Sequence, residues 1–207
     1  MKLEKELLDK LDQIRVWRIS GSVEVDNQSR FRLVGKGHQG AVFQIDNQRC
    51  VKIYSNDKDY QDELHALQLG QKVGICPNLY FWGDRFIVME YFNAPSLYEY
   101  LQQTPLTKEL SKKIIDLLDS FKVAGYNRFD HPGRHIFVLP GETLKIIDVV
   151  SIIKEKPVYL VDKLLRDMGK YAEDFLKFSK ELSPDWYNIW VNHPDFGAVM
   201  ERVRQEV

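Results

Sequence analysis

The stretch LVGKGHQGAVFQIDNQRCVKIY, residues 33–54, constrains the fold of this chain more than any other. It reads as three short strands. Leu33 and Val34 lead into a glycine run, Ala41-Val42-Phe43 lead out of it, and Cys50 to Tyr54 follow a polar turn at Asp46-Asn47-Gln48. Gly35, Gly37 and Gly40 have the spacing G-x-G-x-x-G, with Val42 two residues on. Glycine in such a loop lets backbone lie close over phosphates and aim N–H groups at them. A dinucleotide-binding fold would need the third glycine to open a helix, and Ala41 to Ile45 favours strand instead. No G-x-x-x-x-G-K-[ST] run occurs, which excludes a P-loop. Two readings remain: a hairpin folded over a nucleotide and followed by a strand with one lysine, Lys52, or a hairpin with a plain flexible turn.

Composition narrows the setting. A chain of 207 residues, 44% of them hydrophobic, can bury one or two respectable cores. Its net charge of -1, with both signs interspersed, gives no nucleic-acid groove and no polybasic membrane patch. Cys50 and Cys76 lack metal-ligand spacing and form no disulfide framework. The start, MKLEKELLDKLDQ, is charged throughout and reads as neither signal peptide nor span, so a cytoplasmic protein is expected.

Leu3, Leu7, Leu11 and Ile14 recur at helical spacing and predict an amphipathic N-terminal helix. Arg15 to Val25 favours strand, with a bend at Gly21. Ser55 to Asp57 can cap a helix to about Val73, with Tyr60, Leu64 and Leu67 on its buried side and Glu63 beside them. Leu79 to Trp82 and Arg85 to Phe92 read as two strands joined at Gly83-Asp84. Thr107 caps a long helix that ends near Gly125. Asp130 precedes a hairpin of His135–Leu139 and Thr143–Ile147, and Asp148 ends it. From Leu160 to Leu182 one apolar face predicts a single long helix, followed by a helix with Trp186 and Trp190 and a last one with Phe196, Met200 and Val203.

The order of these features resembles the protein-kinase-like superfamily. The glycine run nearly completes G-x-G-x-x-G-x-V, and Cys50-Val51-Lys52-Ile53 stands where such kinases have V-A-I-K. The resemblance implies an α+β, bilobal fold. Residues 1–92 would form an N-lobe with an antiparallel sheet, one helix and an N-terminal extension, and residues 93–207 a reduced, mainly helical C-lobe. It further implies that Gly35, Lys36, Gly37, His38, Gly40 and Val42 cover ATP. Lys52 would grip its α/β phosphates, aimed by Glu63, with Asp62 as the rival one helical step away. Met89 would back the adenine, whose edge would meet the Glu90 carbonyl and the Phe92 N–H. Asp130 would be the base for a hydroxyl acceptor, and Asp148 and His135 would hold Mg²⁺ or Mn²⁺.

Departures from the pattern carry their own implications. Arg128-Phe129-Asp130 stands for H-R-D, so no arginine greets a phosphorylated activation loop. His135 replaces the asparagine, and imidazole suits Mg²⁺ less well than oxygen does. Asp148-Val149-Val150 stands for D-F-G, and no A-P-E occurs. The short span after Asp148 is similar to RIO-like minimal kinases. Three functions fit: a serine/threonine-type protein kinase-like enzyme, a pseudokinase scaffold that binds nucleotide, or a small-molecule kinase. The protein or small-molecule acceptor is not legible in the residues.

Overall fold

The computed structural model describes residues 5–205, a mixed α+β structure whose chain divides into two compact units. The first takes the chain up to Gln71 together with Pro77–Asn93; the second takes Lys72–Cys76 and the chain from Ala94 onward. Among the described residues, no helix is long and apolar enough to cross a membrane.

The first unit opens with helix α1 (Lys5–Leu11) and a hairpin of β1 (Ile14–Ser20) and β2 (Ser22–Asn27). Gly21, at φ 73, makes the bend, a conformation that glycine adopts without a Cβ clash. Leu3 lies outside the described residues, and Ile14, expected on the helix, opens β1 instead. The alternating Ile14-Arg15-Val16-Trp17 run suits a half-buried strand, and that preference ends the helix early. Strands β3 (Arg32–Lys36), β4 (Gly40–Gln44) and β5 (Arg49–Tyr54) follow, then helix α2 (Asp57–Lys72), β6 (Leu79–Gly83) and β7 (Phe86–Glu90). The five strands β3 to β7 form one antiparallel sheet in the order β3-β4-β5-β7-β6.

Strand pleat decides which residues share a face. Phe43, Val51 and Val88 are cross-strand partners, fully buried, and pack with Leu7, Leu11, Ile14 and Val23 of the N-terminal segment. Burying each such side chain contributes about 1.5–3 kcal/mol. One residue along each strand, Val42, Lys52 and Ile87 are partners in the same way, so they share the opposite face.

In the second unit α3 (Leu97–Gln103) starts at a capping box, with Ser96 and Glu99 satisfying each other's backbone N–H groups. Helix α4 (Lys108–Ala124) is capped by the Thr107 side chain and closed by Gly125 at φ 81. Strands β8 (Ile136–Leu139) and β9 (Thr143–Ile146) pair antiparallel, and a bond from the Ile147 N–H to the His135 carbonyl extends the pairing. His135 itself sits in a short 3₁₀ turn, Gly133–His135, before the strand where it was expected.

Helices α5 (Asp162–Met168), α6 (Ala172–Leu182), α7 (Pro184–Val191) and α8 (Phe196–Gln205) complete the unit. The single helix expected over the apolar face from Leu160 to Leu182 is broken. Gly169, at φ 54 and ψ -123, takes the backbone out of helix, and a 3₁₀ turn leads into α6. Trp186 and Trp190 are core: their rings stack 5.7 Å apart, and Trp186 meets Phe129 at 4.9 Å.

Candidate functional site

In the first unit Lys52 Nζ donates to Glu63 Oε2 at 2.6 Å, with the residues 7% and 1% exposed. Strand pairing turns Lys52 to the face of Val42, and α2 carries Glu63 to it among Tyr60, Leu64 and Leu67, which are also buried. Asp62, one step round the helix, bonds Lys58 at the surface instead. Removing two charges from water costs several kcal/mol per ion, so a buried pair needs short, oriented bonds. The Tyr54 ring lies 5.3 Å from the same ammonium.

The glycine loop divides in two. A Cβ on Gly40 would stand 2.2 Å from the Ile53 carbonyl oxygen, so β5 itself requires glycine there. At Gly35 and Gly37 a Cβ would meet nothing within 4 Å. None of the three uses a left-handed backbone. The Gly37 N–H donates to the Gly40 carbonyl, and the Gly37 carbonyl accepts from Val23. Lys36 reaches Glu24 at 3.3 Å, His38 is exposed and Val42 is half-buried. Among the remaining predicted residues, Met89 and Phe92 are buried, and the Glu90 side chain accepts from the Asn78 backbone and side chain. The Glu90 carbonyl faces the Cys50 thiol at 3.7 Å. Burial pushes that thiol up to about 12, so Cys50 is no nucleophile.

In the second unit Asp130, His135 and Asp148 line one small cavity of about 90 Å³, with Arg128, His131, Ser151 and Lys163. His135 Nδ1 stands 3.7 Å from Asp148 Oδ2. Asp148 has φ 56, a left-handed conformation that aspartate tolerates better than most residues, and strain of this kind gathers at functional sites. Asp130 is 8% exposed, and its Oδ1 accepts from the Lys163 backbone N–H at 2.6 Å. Its Oδ2 lies 3.9 Å from Arg128 Nη2 and 3.9 Å from Lys163 Nζ. Burial pushes the Asp130 carboxyl above its ordinary value, opposed by the Lys163 backbone bond and by the charges of Lys163 and Arg128. Ser151 Oγ accepts from Arg128 Nη1 at 2.8 Å and steadies the guanidinium.

His131, beside Asp130, is a structural group. Burial, helped by the charge of His135, pushes it down to about 3. Its Nε2 lies 3.1 Å from the Ile147 carbonyl, which can only accept, so that nitrogen carries the proton and is no base.

Lys163 and Ser151 escaped the sequence reading. Lys163, the second residue of α5, meets Asp130 across 33 residues of chain, and no spacing rule marks such a pair. A larger cavity of about 640 Å³, bounded by Tyr98, Arg134, Lys170 and Tyr171, holds none of the predicted residues. Its carboxylate, Asp167, uses both oxygens on Arg134. Both predicted aspartates, Asp130 and Asp148, line the smaller cavity.

Among the described residues, no cluster of three or more His, Cys, Asp or Glu could hold a metal ion. His135 and Asp148 would offer an ion one nitrogen and one oxygen, a pair less suited to Mg²⁺ than two oxygens would be, with phosphate and water left to complete the ligand set.

No family model matches the chain. It is similar to a Bacillus subtilis (strain 168) protein named "Putative serine/threonine-protein kinase YrzF", at 22% identity over 172 residues covering 79% of each chain.

Proposed function

We propose that this chain is an ATP-dependent phosphotransferase of protein-kinase-like, two-lobed fold that transfers the γ-phosphoryl group to a hydroxyl acceptor. The observation that carries the reading is the buried Lys52–Glu63 pair behind a glycine hairpin. An ion pair this buried is weak evidence for stability and better explained by a lysine that must be aimed. The similarity to a protein named as a kinase supports the same class.

Gly35, Lys36, Gly37, His38, Gly40 and Val42 cover the nucleotide, Lys52 contacts its α/β phosphates, and Met89, Glu90 and Phe92 receive the adenine. Asp130 takes the proton of the acceptor hydroxyl as its oxygen bonds to Pγ. The bond from Pγ to the bridging oxygen breaks, and its electron pair leaves with ADP. Asp148 and His135 would hold Mg²⁺ or Mn²⁺, and the ion would supply positive charge to the phosphates. Most of the rate enhancement is positioning and charge stabilisation.

A scaffold that binds nucleotide without transfer is the second reading. It is favoured by His135 and by Val149, fully buried where the family pattern has phenylalanine. Incubation with γ-labelled ATP and Mg²⁺ or Mn²⁺ separates the two. Label moving to the chain, to added proteins or to small hydroxyl compounds is expected. ATP-dependent stabilisation with no transfer to any of them leaves the scaffold.

A further inference from the structure

Asp130 is held unequally at its two oxygens. Oδ1 is closed by the Lys163 N–H at 2.6 Å, a bond that fixes the carboxylate plane. Oδ2 has Lys163 Nζ and Arg128 Nη2 at 3.9 Å each, too far for a hydrogen bond and near enough for charge attraction. Arg128 is anchored on Ser151, whereas the Lys163 side chain is 37% exposed and beside the cavity that holds His135 and Asp148. One residue thus fixes the carboxylate through its backbone and charges its surroundings through its side chain.

We propose that Lys163 is a positioning residue for phosphate transfer: its N–H orients Asp130, and its ammonium holds Oδ2 as a carboxylate facing the acceptor hydroxyl. The inference rests on the phosphotransferase reading and extends it to a residue outside the sequence motifs. In the step itself Oδ2 receives the hydroxyl proton, the acceptor oxygen bonds to Pγ, and the bridging oxygen departs with ADP. The ammonium lies beside the oxygen that gains the proton and favours its charged form beforehand.

Lys163→Met separates the two roles, because it removes the ammonium and keeps the backbone N–H. With γ-labelled ATP and Mg²⁺, reading ADP release and label on the chain, kcat is expected to fall about tenfold or more with KM for ATP within about twofold. The melting temperature should move by no more than about 2 °C, since a partly exposed pair is worth little to stability. Lys163→Arg, which keeps both charge and N–H, should recover kcat to within about threefold.

The charged groups facing Asp130 are Arg128, Lys163 and Asp162. Without the ammonium, Asp130 holds its proton more tightly, so the acid limb of the pH–rate profile moves to higher pH. A purely structural lysine would not move that limb. If Lys163→Met destabilises the chain further, Lys163→Gln is read in its place. Unchanged kcat in the charge-free variants, or no recovery in Lys163→Arg, overturns the assignment and leaves the phosphotransferase reading standing. A wild-type chain that transfers no phosphate overturns both.

Discussion

The two units each build a buried carboxylate next to cations, and they build it differently. In the first, Lys52 and Glu63 meet at 2.6 Å and are nearly sealed from water. In the second, Asp130 spends one oxygen on the Lys163 backbone N–H and keeps two cations at 3.9 Å from the other. A closed pair aims one charge and holds it still; a bracketed carboxylate keeps its cations beyond hydrogen-bond distance of one oxygen. The first arrangement suits holding phosphate and the second suits moving a proton.

The sharpest break of this contrast is Lys52→Met. It leaves Glu63 buried without the cation it is bonded to, and chemical denaturation should show a loss of about 3–5 kcal/mol. Lys52→Met with Glu63→Gln should recover much of that loss while ATP-dependent stabilisation stays absent. A single variant as stable as wild type would mean that the pair is not held as tightly as its geometry indicates.

Asp130→Asn tests the other side. Transfer should fall by about 10² or more, roughly 2.7 kcal/mol, with ATP-dependent stabilisation retained. Asp148→Asn should weaken both, because it removes one of the two proposed metal ligands. Transfer that survives Asp130→Asn would move the base elsewhere.

Within the first unit, Gly40→Ala should cost about 1–3 kcal/mol, because the Ile53 backbone must shift. Gly37→Ala should leave stability nearly unchanged and act, if anywhere, on ATP affinity. Equal losses in the two thermal melts would erase the division of the loop into fold and function.

The last effect lies beside Asp130 and appears only as the pH falls. His131 is held down at about 3 against an ordinary 6.5, so the unfolded chain binds the extra proton between those values. Its contribution is therefore fully present above 6.5 and is lost as pH falls toward 3, at up to about 1.4 kcal/mol per pH unit. Urea titrations of His131→Gln should show a shallower acid dependence than wild type. Parallel curves would place the acid-sensitive group elsewhere.

Much of the fold was legible because its signals are local. The period-2 runs around Gly35 to Gly40, the Thr107 cap and the Gly125 stop each act through neighbours in sequence, and the strands and helix ends stand where those residues put them. The N-terminal helix is shorter than its apolar stripe because Ile14 fits the stripe and a strand start equally well. The break at Gly169 leaves no mark in the pattern because the apolar face runs unbroken across it, whereas backbone dihedrals end a helix whatever the side chains favour.

The candidate site divides along the same line. Sequence alone determined which residue types could do the chemistry: three spaced glycines, one strand lysine, and two aspartates flanking a hairpin. It favoured Glu63 but left Asp62 as a rival. Adjacent helix positions point about 100° apart, and only the packing of α2 buries one and leaves the other with Lys58. Nor could it explain Gly40, whose need is a carbonyl on the next strand. Lys163 is the clearest case. Its bond to Asp130 joins a loop to the start of a helix far along the chain, and long-range contacts of that kind are set by how elements pack, which no spacing between the two residues records.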